Sequence, residues 1–148
     1  MDINIGAVGG KKLSVNDFHL IKVLGKGSFG KVMMVKKKDG DGTIYAMKTL
    51  RKAALIKRNQ LIHTASERNI LQSIKHPFLV NLIYAFQSED KLYMVLDYMG
   101  GGELFFWLKK HRRFSETRAQ LMGAEVSYIY LHCIALRRFV VAAAAVVA

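Results

Sequence analysis

The stretch "LGKGSFGKV", residues 24–32, sets three glycines within six positions of an otherwise apolar, β-favouring segment. Gly25, Gly27 and Gly30 spell G-x-G-x-x-G. That pattern suits phosphate contact, because residues without Cβ let backbone N–H groups close over an anion. The segment after the glycines decides the fold. A dinucleotide-binding loop of this spelling needs a helix next and a parallel sheet around it. Here the next residues are "KVMMVKK", a strand-like run, so the loop joins two antiparallel strands. The three glycines alone are equally the description of a hairpin without a ligand.

Outward from the loop, strand-like segments are expected at Phe18 to Leu24, Lys31 to Lys37 and Thr43 to Leu50. Between the last two, "KDGDGT" has the Asp-Gly steps of a hairpin turn. Residues 51–75 have helical spacing, with His63, Glu67, Leu71 and Ile74 on one stripe, and the only proline, Pro77, placed to end the helix. "FLVNLIYAFQ" and "KLYMVLDYM" predict two further strands, separated by "SED". After "GGG" at 100–102, a short helix is expected from Glu103 to Lys110 and a longer one from Ser115, an N-cap followed by the acidic Glu116. Three strands, a helix, two strands and then helices make an α+β chain.

Composition agrees with one folded domain: 148 residues, 51% hydrophobic and 23% charged. The net charge of +12 is concentrated early, since residues 1–58 carry thirteen Lys or Arg against four Asp. Such a balance attracts polyanions, but there is no aromatic-and-basic nucleic-acid motif, and charge alone gives no reason to expect nucleic acid. The longest apolar run, "FVVAAAAVVA", is shorter than the roughly 20 residues that span a bilayer. The start lacks the pattern of a secretory signal, and a single cysteine, Cys133, makes no internal disulfide. A cytoplasmic setting is expected, with nuclear or membrane recruitment left open.

Lys48, at the end of "YAMK", stands among apolar neighbours in the third strand. Lysine is rarely buried, so an inward-facing one needs an anion. Glu67, on the inner stripe of the next helix, supplies one. The two would make a fixed positive charge available to phosphate oxygens.

Taken together, "GKGSFGKV", "YAMK", the glutamate of "HTASERNIL", "HPFLVNLIYAFQ" and "LYMVLDYMGGGELFFWL" resemble the N-terminal lobe of a serine/threonine protein kinase of the AGC group, Akt-like and ribosomal-protein-kinase-like, over roughly residues 17–132. The resemblance implies a five-stranded antiparallel sheet with a C-helix, followed by the first helices of an incomplete second lobe. Its implied organisation is a flexible arm at 1–16, the lobe and hinge at 17–99, the first helices of the second lobe at 100–132, and a divergent apolar tail at 133–148.

By the same resemblance Leu24, Gly25, Gly27, Ser28, Phe29 and Gly30 would form a lid over ATP, with Phe29 at its tip. Val32 and Ala46 would flank the adenine. Lys48, paired with Glu67, would contact the α- and β-phosphates. Leu96 resembles the gatekeeper, the backbone of Asp97 and Met99 would hold the adenine edge, and Glu103 would sit at the ribose. Leu71 and Leu82 match a hydrophobic spine, and His63 a position that reads activation-loop phosphate. Lys52, Leu55, Ile56, Leu61 and Leu92 resemble a docking groove that an upstream kinase or another protein's tail would occupy.

The resemblance stops after Leu131. There the sequence reads "CIALRRFVVAAAAVVA", without R-D-x-K-x-x-N, D-F-G or A-P-E. The substrate-orienting base and both Mg2+ ligands of the family lie in those motifs. The expectation is an ATP-binding lobe that is inactive alone; the alternative is a non-catalytic regulatory fragment that binds nucleotide weakly or docks to a kinase partner. The last helix carries Leu121, Met122, Ala124, Val126, Tyr128, Ile129 and Leu131 around most of its circumference, a pattern that expects burial on all sides.

Overall fold

The computed structural model describes residues 13–135. Most of the expected arm, 1–12, and of the apolar tail, 136–148, lies outside the described residues. Within the segment expected as an arm, Leu13 and Val15 pack against the core. Ser14 caps a 3₁₀ turn, Val15–Asp17: its hydroxyl accepts from Asn16 N, and the Asp17 carboxylate accepts from Ser14 N at 2.7 Å.

Five strands come in the expected order: β1 (Phe18–Lys26), β2 (Gly30–Lys37), β3 (Ile44–Arg51), β4 (Leu82–Gln87) and β5 (Lys91–Asp97). They form one antiparallel sheet in the order β1-β2-β3-β5-β4. Tight turns set the pairing. Gly42 between β2 and β3 has φ +93°, a conformation that glycine takes without strain, and the Asp41 carboxylate accepts from Thr43 N at 3.0 Å.

Each strand divides its side chains between the two faces, as the period of two requires. On β3, Tyr45 and Met47 face a cluster of Phe18, Met33, Val35, Phe86, Tyr93 and Val95. Phe86 stacks on both Phe18, centroids 5.9 Å apart, and Tyr93, 4.9 Å apart. Leu50 faces the other way, into a cluster of Leu55, Ala85, Leu92 and Met94. Lys48, two residues before Leu50, shares that second face; Thr49 lies opposite and is buried. Burying a Met, Leu or Val side chain contributes about 1.5–3 kcal/mol. Met47, Val35 and Val95 on one face and Leu55, Leu92 and Met94 on the other therefore hold the sheet from both sides.

The expected helical stretch 51–75 is two helices, α1 (Lys52–Lys57) and α2 (Leu61–Ser73). The break falls at Asn59, φ +52°, a left-handed conformation that asparagine tolerates, with Gln60 N donating to Leu55 O. Pro77 is not the terminator. Ile74 is already extended, φ −112° and ψ +123°, three residues earlier. The fourth strand is also shorter than expected: the chain turns at 77–79, where Leu79 N donates to His76 O, and pairing starts only at Leu82.

The chain groups into two compact units, one of residues 1–74 and 81–98, the other of residues 75–80 and 99–148. The second holds α3 (Leu104–His111) and α4 (Glu116–Ala135). Gly102, φ +81°, turns the chain into α3, where Trp107 Nε1 donates to Gly101 O at 2.6 Å. Ser115 Oγ accepts from Arg118 N at the start of α4. Cys133 and Ile134, expected in the divergent tail, continue α4, and Cys133 is buried. Burial of α4 is not all-round: Ile129 and Cys133 are covered, while Leu121, Val126, Tyr128, Tyr130 and Leu131 are exposed.

Candidate functional site

The site is built on the first unit. β1 runs two residues further than expected, so Gly25 lies within a strand, opposite Val32, and Lys26 stands opposite Lys31. Only Gly27, Ser28 and Phe29 form the loop, closed by Gly27 N donating to Gly30 O at 2.9 Å. The three glycines answer different demands. A Cβ on Gly30 would run into the carbonyl of Thr49, so its absence lets β2 approach β3. A Cβ on Gly25 or Gly27 would meet open space, and neither has a positive φ. The protein's own packing does not require those two glycines.

Beneath the loop lies a cavity of about 300 Å3 lined by Gly25, Gly27, Phe29, Val32, Lys48 and Leu50 among others. Ser28 and Gly30 also line it, and so do Lys26 and Lys31, two cations not singled out from the sequence. Their place comes from the hairpin register, which sets them opposite each other at the loop's base. Three lysines line this space, and Gly25 and Gly27 bring no β-carbon to it.

Lys48 Nζ donates to Glu67 Oε1 at 2.6 Å, from the middle of β3 to the middle of α2. The expectation of a buried pair is corrected: the side chains are 28% and 38% exposed, because they border the cavities instead of sitting in the core. A pair this open contributes no more than about 1 kcal/mol to folding. Its consequence is positional. The carboxylate fixes where the ammonium points, beside the glycine loop.

A second cavity of about 200 Å3 adjoins the pair, lined by Phe29, Lys48, Leu50, Leu55, Gln60, His63, Thr64 and Glu67. Phe29 lines both spaces. Its ring is half-buried against the Leu50 and Leu55 cluster, and the Arg58 guanidinium lies 5.5 Å from its centroid. His63, exposed on α2, faces the Gln60 amide oxygen through Nδ1 at 3.1 Å.

The remaining residues of the expected nucleotide site are spread over the sheet or lie in the second unit. Ala46 pairs with Leu96, and Leu96 with Leu82, across β3, β5 and β4. Leu24 is two-fifths exposed on the edge strand. Asp97 is held by Asn81, whose Nδ2 donates to its carboxylate at 2.8 Å, and its own N–H donates to Asn81 O. Sequence reading missed this tie, which a long-range Asn–Asp pair does not announce by spacing. Met99 is exposed in the second unit, and Glu103 caps α3 through its carbonyl, which accepts from Phe106 N.

Of the expected docking residues, Leu55 and Leu92 are core, 1% and 2% exposed, and Leu61 packs on the same cluster. They form a floor instead of an open wall. Ile56 is the exposed member, and Lys52 N donates to Asp90 O.

Against known proteins, the protein kinase domain family matches residues 18–137. The chain belongs to the protein kinase domain family. It is similar to Protein kinase 2 of Dictyostelium discoideum, 63% identical over 111 residues, which are 75% of this chain and 23% of that protein. It is also similar to the RAC family serine/threonine-protein kinase homolog of the same organism, 57% identical over 116 residues, 78% of this chain and 26% of that protein. Serine/threonine-protein kinase Sgk3 of Rattus norvegicus is 48% identical over 136 residues, 90% of this chain and 27% of that protein. These relatives identify the kinase domain as one of the AGC serine/threonine group. The chain spans about a quarter of the length of these curated relatives. Among the described residues, no helix is long and apolar enough to cross a membrane.

Proposed function

We propose that this chain supplies the ATP-binding part of a serine/threonine protein kinase domain, whose reaction moves the γ-phosphoryl group of ATP to a protein Ser or Thr. The observation that carries the reading is the Lys48–Glu67 contact of 2.6 Å, made at a cavity that the glycine loop also lines. Lys48 would hold the α- and β-phosphates while Glu67 keeps its ammonium in place. The loop of Gly27, Ser28 and Phe29 would cover the phosphates, and Lys26 and Lys31 would add positive potential. Val32, Ala46 and Leu96 would contact the adenine, with main-chain groups of Asp97 at its edge. Cytoplasmic localisation accompanies this reading.

Phosphoryl transfer is catalysed by positioning and charge neutralisation. Mg2+ supplies part of that neutralisation in the family, through ligands in motifs that this sequence does not contain. The residues here therefore bind and orient ATP and carry no base for the substrate hydroxyl. The expected behaviour is weak nucleotide binding with negligible turnover. Titrating ATP into the wild type and Lys48→Ala, with and without Mg2+, tests this. Loss of Lys48 should weaken binding about tenfold, equivalent to about 1.4 kcal/mol. Equal affinity of the two proteins removes Lys48 from the site, and robust phosphorylation of a basic peptide by the 148-residue chain overturns the expected inactivity.

A second reading, a regulatory piece that docks to an upstream kinase, is favoured by Ile56, 63% exposed above the buried Leu55 and Leu92. It predicts capture of a phosphorylated hydrophobic peptide, reduced by Ile56→Glu.

A further inference from the structure

The segment 75–80 joins α2 to β4 in sequence, yet it groups with α3 and α4. His76 fastens it there. The ring is 6% exposed and packs on two residues of α4, with centroids 5.2 Å from Tyr128 and 4.9 Å from His132. Tyr128 and His132 are four residues apart, so they present one stripe of the helix. Phe78 completes the cluster, edge-on to Tyr128 at 6.3 Å.

The hydrogen bonding fixes the protonation state. His76 Nδ1 accepts from Phe78 N at 3.2 Å, so Nδ1 carries no proton and the neutral ring holds its proton on Nε2. Nε2 is buried and has no hydrogen-bond partner among the described residues. An imidazolium has two donors and no acceptor. A proton added to His76 would therefore go to Nδ1, displace the Phe78 N–H, and leave a cation without an acceptor, facing His132.

We propose that His76 and His132 form a proton-sensitive clasp, which fastens residues 75–80 to α4 while His76 is neutral and releases them when it takes a proton. The titratable groups facing His76 from α4 are Tyr128 and His132; on its own segment Lys75 is exposed. None of these is an anion that would stabilise the charged ring. Burial, and secondarily the charge of His132, holds His76 below its ordinary value of 6.5. The unclasped chain therefore binds the proton more readily. The clasp is at full strength above 6.5 and weakens as pH falls from there to the lower value at which clasped His76 titrates.

The test is histidine NMR on the intact chain, with amide exchange of Phe78 measured in parallel. Expected are the Nε2–H tautomer at neutral pH, titration of His76 below its ordinary value of 6.5, and exchange of Phe78 at least tenfold faster, after correction for intrinsic rate, as His76 titrates. In His76→Asn, Oδ1 keeps an acceptor for Phe78 N and does not titrate, so this acceleration should vanish. His132→Gln should move the His76 titration upward. The proposal fails if His76 titrates at or above 6.5, or if Phe78 exchange is indifferent to pH. It fails equally if β3 and β5 amides lose protection in the same step, which would make the transition global. Should His76→Asn not fold, the wild-type titration decides alone.

Discussion

The sheet unit and α4 treat their apolar residues in opposite ways. Sheet and helices of the first unit enclose two clusters, and seven of the described side chains there are at most 2% exposed. On α4, Leu121, Tyr130 and Leu131 are each more than 60% exposed, although the helix is as apolar as a core strand. A helix apolar around most of its surface needs cover on more than one side. The difference teaches which parts of a kinase domain organise themselves. Glycine loop, Lys48 and Glu67 are placed by elements that already have a core, whereas α4 presents a surface suited to being covered.

The largest way to break this comparison is to damage the core beneath the site. Leu55 of α1 is 1% exposed among Leu50, Ala85, Leu92 and Met94. Leu55→Ala should cost about 2–5 kcal/mol through lost burial and a residual cavity. Urea unfolding measures the loss, and hydrogen exchange locates it. Protection should fall across β3 and β5 while α4 keeps its own. A matching fall in α4 would show that the two units unfold together.

How far the sequence announced this architecture depends on the range of the interaction. The strands were legible because alternation and the Asp-Gly turn are local signals, and the strand starts at Phe18 and Lys91 are close to those expected. The Lys48–Glu67 pair was legible because a lysine amid apolar residues on a strand asks for an anion, and the helical stripe offered one. Its exposure was not, since the pair borders two cavities whose lining residues come from segments far apart in sequence. The break at Asn59 depends on a single left-handed residue inside an otherwise helical run, which periodicity does not register. The Asn81 clamp on Asp97 and the His76 cluster join residues 16 to 56 positions apart, and no local pattern carries them.

Of intermediate size is the contrast within the glycine loop itself. Gly30→Ala forces β2 away from the Thr49 carbonyl and should destabilise the sheet by about 1–3 kcal/mol, as overpacking does. Gly27→Ala meets open space and should change stability by less than about 0.5 kcal/mol. For ATP the order reverses in kind: Gly27→Ala should weaken binding in a fully folded protein. Thermal unfolding and nucleotide titration on the two variants separate these outcomes. Equal loss of stability in both would mean that the loop's packing, and no ligand, explains the glycines.

The smallest expected effect on folding comes from the exposed side of α4. Leu131→Ser removes an apolar group that is 62% exposed, so little burial is lost and the unfolding midpoint should move by less than the equivalent of about 0.5 kcal/mol. Solubility is a different quantity. Contiguous apolar surface drives association, so Leu131→Ser combined with Leu121→Ser should raise the concentration at which the chain stays monomeric in analytical ultracentrifugation. A large loss of stability instead would show that Leu121 and Leu131 are covered in solution, and the contrast between the two units would have to be withdrawn.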